Sequence, residues 1–118
     1  MLRTNELGSA AEPEKFSCVA FGSRPGLVLA RWQAESWVFP WSHLQWARLS
    51  STEEADELLF SFPHHQASVR GERLRGVVDA IAEFRITALR NLPAEYRASL
   101  AEDLPRIAKI DVREVAPA

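Results

Sequence analysis

The chain has a single cysteine, Cys18, among its 118 residues. No internal disulfide can form, and a CxxC metal or redox pair is excluded. No apolar run approaches the roughly 20 residues that cross a bilayer, and the stretch from Met1 to Lys15 lacks the apolar centre of a signal peptide. A large excess of either charge is lacking too, with 14 basic and 16 acidic side chains. A net charge of −2 and a pI near 5.9 remove the broad attraction that draws proteins to phosphate backbones or anionic lipid. The expectation is a cytoplasmic protein with neither a nucleic-acid nor a membrane partner. A glycine-rich phosphate loop and a paired-carboxylate motif are also lacking, and Ser42-His43 are chain neighbours rather than a positioned nucleophile and base. No catalytic residue and no cofactor is expected.

What is present suits one packed core, because 47% of the residues are apolar and the length is that of one domain. Met1 to Glu14 mixes Gly8, Ser9 and Pro13 with charges and has no period, so it is expected to be a mobile tail ahead of a single α+β domain over 15–118. The longest periodic stretch runs from Glu72 to Leu92. Leu74, Val77, Val78, Ile81, Phe84, Ala88 and Leu92 recur at helical spacing, while Glu72, Arg75, Asp79, Glu83 and Arg90 fall on the other side. This predicts one long amphipathic helix. Arg85 then falls inside the apolar stripe, where it is expected to snorkel or pair with a sheet carboxylate rather than to bind an anion.

Shorter apolar runs predict an antiparallel sheet of about five to six strands packed on that helix, with a short second helix and a final strand. Phe16 to Phe21 stops at a turn, Gly22 to Gly26. Leu27 to Trp32 and Trp37 to Phe39 flank a polar gap of hairpin length. Pro40 cannot donate to a ladder, and Ser42 is placed to cap a single helical turn over Trp41 to Leu44. Gln45 to Leu49, Leu58 to Phe62 and Gln66 to Arg70 complete the sheet. Ser50 to Glu57, with Glu53, Glu54, Asp56 and Glu57, should be its most exposed loop. Pro93 opens the short helix, and the alternation around Ala108, Ile110 and Val112 predicts a last strand over Ile107 to Val115.

The block Phe39-Pro40-Trp41-Ser42-His43-Leu44, followed by Leu58 to Phe62 and by Val69-Arg70-Gly71 leading into Leu74, resembles small uncharacterised bacterial proteins built as a β-meander followed by a helix. The match covers roughly Leu27 to Leu92. It also resembles, superficially, a pleckstrin-homology-type module. The resemblance implies a fold and a bacterial setting and supplies no functional residue.

Trp32, Trp37, Trp41 and Trp46 fall within fifteen residues. Rings at this density form either a core or a partner surface, since burying each contributes about 2–3 kcal/mol. If strand three stays extended, Trp37, Phe39 and Trp41 share one face and Val38 takes the other. One helix covers only one face of a sheet, so the expected function is a protein-interaction module that self-associates through an aromatic or edge-strand surface of the sheet. Trp37, Phe39 and Trp41 are the candidate interface residues, and a homodimer or another protein is the expected partner. A small-molecule-binding domain is the alternative, and an enzyme comes third. His64-His65 point to opposite faces of an extended segment and cannot both reach one ion, so no metal site is expected with His43 or Cys18.

Overall fold

The structure, a computed structural model, describes residues 17–116. The expected tail, Met1 to Glu14, lies outside the described residues. In chain order the elements are β1 (Val19–Phe21), β2 (Gly26–Ala30), β3 (Ser36–Pro40), a 3-10 turn (Trp41–His43), β4 (Trp46–Ser51), β5 (Asp56–Ser61), β6 (His65–Glu72), α1 (Arg75–Ala82), β7 (Ile86–Arg90), α2 (Ala94–Ala98) and β8 (Arg106–Glu114). They form an α+β fold, with mostly antiparallel strands in two sheets rather than the single expected sheet. Sheet A has the order β1-β7-β2-β3 and sheet B the order β4-β5-β6-β8.

The difference originates in the stretch expected to be one long helix. Only Arg75–Ala82 of it is helical, since Glu72 ends β6; Leu74, Val77 and Ile81 are buried as the spacing requires, whereas Val78, expected on the same stripe, is exposed. The helix then stops. Arg85 N–H turns back to Ala80 O at 2.8 Å, and Phe84 takes a left-handed φ of 54°. A left-handed residue closes a helix by satisfying its last carbonyls. Beyond it, β-branched Ile86 and Thr87 start a strand, which suits their restricted χ1. That strand, β7, lies inside sheet A, antiparallel to β1 and parallel to β2. Ladders on both edges outweigh a helical period that Ala88 and Leu92 match only by coincidence. Arg85 accordingly sits in an exposed turn, paired with Glu83, and not in an apolar stripe.

The other expected elements appear with shifted ends. β2 and β3 form the expected hairpin, with Leu27 and Leu29 fully buried and Val28 half-buried between them. The turn at Trp41 is present, but Pro40 occupies its cap and no side chain does, so Ser42 has no capping role. The acidic loop shrinks to the tip of a hairpin, because Ser50 and Ser51 end β4 while Asp56 and Glu57 begin β5. α2 follows Pro93, and β8 fills the place of the last strand. Among the described residues, no helix is long and apolar enough to cross a membrane.

One core lies between the sheets and α1. Leu27, Leu29, Ile86 and Leu89 reach it from sheet A, and Leu58, Phe60, Val69, Ile107 and Ile110 from sheet B. Polar contacts also join the sheets: Cys18 Sγ, just before β1, accepts the Ile107 N–H of β8 at 3.2 Å. Burial there raises the thiol pKa. Where β6 meets β8 the register slips between Arg70 and Gly71. A Cβ on Gly71 would stand 1.8 Å from Arg106 O, so only glycine fits the crossing.

Candidate functional site

The four tryptophans, close in sequence, enter four different environments. Trp32, in the β2–β3 loop, packs on Tyr96 at 5.3 Å, and its backbone N–H donates to Asn91 Oδ1 at 2.8 Å. Trp37 is half-buried and stacks on Phe39 at 5.9 Å. Phe39 in turn stacks on Phe62 at 4.1 Å, and His65 leans on both Phe39 and Trp37. These rings seal the seam between β3 of sheet A and the β5–β6 hairpin of sheet B. Trp41 packs on Phe84 at 5.2 Å, and its buried Nε1 has no acceptor among the described residues. Trp46, on β4, is 44% exposed, with the Arg48 guanidinium 5.8 Å from its ring centre.

Of the three candidate interface rings, Trp37 and Phe39 share one face of β3, as the alternation of an extended strand requires, and that face is turned inward, with Phe39 7% exposed. Trp41 lies past the strand in the 3-10 turn and is buried separately against Phe84, at 5% exposed. Val38, between Trp37 and Phe39, points the other way and is 67% exposed. It ends a row across all four strands of sheet A, because Ala20 lies opposite Ala88, Ala88 beside Val28, and Val28 opposite Val38. The neighbouring pairs on this face, Ala30 with Ser36 and Gly26 with Pro40, are also uncharged. Arg90, at the end of the inner strand β7, folds back so that its Nε donates to Ser17 O at 2.9 Å. Sheet A therefore presents a smooth outer face of small and apolar side chains.

The polar groups do not converge. His43 and His64 are exposed at separate turns, and His65 lies against the aromatic seam. Among the described residues, no three His, Cys, Asp or Glu side chains could hold a metal ion. Of the acidic run, Glu53 and Glu54 face solvent, Glu57 accepts the Ser68 hydroxyl at 2.9 Å, and Asp56 Oδ2 accepts the Leu74 N–H at the start of α1. That N–H, with the Ser51 hydroxyl next, holds the Asp56 pKa below its ordinary value. Glu35 is lowered by its bond to Arg31, 2.7 Å away in the β2–β3 loop.

Two open clefts lie at the ends of sheet B. One, of about 480 Å³, is bounded by His64, Glu114, Val115 and Ala116. The other, of about 410 Å³, lies between Phe21, Arg73, the first turn of α1 and Asp103. Sequence reasoning missed the inward turn of Trp41 and the role of Asp56. The first depends on the direction of the chain after Pro40, and the second on a strand meeting a helix in space. Neither leaves a local pattern. Comparison with protein-family models, with curated proteins and with solved structures finds no match to the chain.

Proposed function

We propose that this chain is a protein-interaction module rather than an enzyme, and that it associates with a second copy of itself through the outer face of sheet A. What carries the reading is the uncharged row Ala20, Ala88, Val28 and Val38, in a chain of which 25% is charged. Interface centres are depleted of charge, and exposed apolar patches mark binding surfaces. A face whose central row is charge-free, with Arg90 folded back at the end of β7, meets its own copy with few like charges opposed, and small side chains let two sheets stack at about 10 Å. Trp37, Phe39 and Trp41 enter the proposal from behind, as the packing that keeps β3 in place beneath Val38. A cytoplasmic, bacterial setting goes with this reading, from the single cysteine and the resemblance of the strand–helix block.

The patch is small. Four strands about 4.8 Å apart and at most five residues long span no more than roughly 19 by 17 Å, below the roughly 800 Å² per partner of a standard interface. A dimer in the micromolar range is therefore the expectation. Light scattering across a concentration series should give a mass above that of one chain. Val38→Lys should weaken the association by about tenfold or more, with circular dichroism unchanged. A wild type that stays monomeric, or a Val38→Lys variant with the wild-type mass, overturns the reading.

A further inference from the structure

Each sheet also has two edges, and the four edge strands are unequal. β1 has three residues, β3 ends in Pro40, and β4 carries a single charge, Arg48. β8 has nine residues and no proline, with charges of both signs. Long uninterrupted edges are templates for pairing with another strand. Val115 N–H, just beyond β8, donates to His64 O at 2.9 Å, towards β6. In an antiparallel ladder successive residues alternate between bonding to one neighbour and to the other. The backbone groups of Ile110, Val112 and Glu114 therefore face the open edge, and none of the described residues bonds to them there.

The opposite end of β8 is taken. Ile107 N–H donates to Cys18 Sγ at 3.2 Å, and Ile107 O accepts the Leu92 N–H at 3.1 Å. The Arg106 guanidinium is held by the carbonyls of Arg97 and Leu100 at 3.2 and 2.9 Å. A second strand can lie only along the stretch from Lys109 to Glu114.

We propose that two copies of the chain pair through this stretch of β8, antiparallel about a two-fold axis at Val112, and so join their sheets B into one. The charges select the register. An axis at Asp111 would oppose Asp111 to the partner's Asp111 and Lys109 to the partner's Arg113. An axis at Arg113 would oppose two arginines. An axis at Ile110 matches Lys109 with the partner's Asp111, but it drives the partner's strand into the occupied Ile107 end. The axis at Val112 sets Asp111 opposite the partner's Arg113 on both sides of the axis. These are positions without backbone bonds, where side chains of paired strands come closest. Ile110 then exchanges backbone bonds with the partner's Glu114, and Val112 with the partner's Val112. Asp111 and Arg113 are exposed in the single chain, so they reach the contact without leaving a buried site. The contact uses the sheet opposite to that of the proposed outer-face association and stands independently of it.

The test uses the full chain and a charge swap. Asp111→Arg and Arg113→Asp should each raise the dissociation constant about tenfold or more, and the double variant Asp111→Arg/Arg113→Asp should return it towards wild type. Val112→Cys should cross-link across the axis under mild oxidation, because directly paired residues fall within disulfide reach, whereas Ile110→Cys should not. Single variants without effect, or a swap no better than either single variant, overturn the pairing. Cross-linking at Ile110→Cys in place of Val112→Cys overturns the register. If Val38→Lys abolishes association while the β8 variants leave it intact, the outer-face reading stands and the β8 pairing falls; the reverse pattern sinks the outer face alone.

Discussion

Asp56 Oδ2 accepts the backbone N–H of Leu74 at 3.0 Å, so a carboxylate on β5 caps α1 from 18 residues upstream. Leu74 stands at the cap position of that helix and offers no side-chain acceptor of its own. Asp56→Ala should therefore cost about 1 kcal/mol, the usual worth of such a cap. The cost should depend on pH in a fixed direction. The folded pKa of Asp56 lies below the unfolded one, so its stabilisation is complete above the unfolded pKa and fades as pH falls through the folded pKa. Urea titrations of wild type and Asp56→Ala should differ at pH 7 and begin to draw together only as pH falls below about 4. A gap that widens in acid would show that the carboxylate is not the cap.

Two glycines separate steric need from simple permissiveness. Gly71→Ala places a methyl against Arg106 O at the bulge where β6 crosses β8, and backbone cannot move aside cheaply. A loss of about 3 kcal/mol or more, or failure to fold, is expected. Gly76, in the first turn of α1, has open space around it. Gly76→Ala should stabilise by about 0.5–1 kcal/mol. Equal melting shifts in the two variants would contradict the crossing described for Gly71.

Ile81 and Asp79 lie on opposite sides of α1, one buried and one exposed. Ile81→Asp puts an unpaired carboxylate into the core and should cost about 3–5 kcal/mol, much of the stability of a domain this size. Asp79→Ala should stay within about 0.5 kcal/mol of wild type. Thermal melts of the pair check the helix orientation without reference to any partner.

The sequence made most strands legible, because each of β2, β3, β5, β6 and β8 carries its own alternation or apolar run between turn residues. The helical spacing through Leu74, Val77 and Ile81 was equally informative. It misled at Phe84, where nothing local announces a left-handed residue, and past it, where β7 is a strand only because β1 and β2 lie on either side. The rings misled for a related reason. Sharing a face is a property of the strand, but which face meets the core depends on where the second sheet stands. Of the candidate surface, Val38's opposition to Trp37 and Phe39 could be read from alternation alone; the charge-free row around it could not, since it spans strands far apart in the chain.

The position of β7 between β1 and β2 also sets an order of events as the chain is made. β4, β5 and β6 are successive antiparallel neighbours and can assemble as soon as they are synthesised. Sheet A cannot. Its β2–β3 hairpin must wait with one side open until Arg90 has arrived, and the bond from Arg90 to Ser17 closes a loop of 73 residues. Loops of that length form slowly relative to hairpins. Until β7 arrives, Leu27 and Leu29 lie on an unpaired edge exposed to other nascent chains, so a ribosome stalled before Ile86 would hold out an adhesive hairpin.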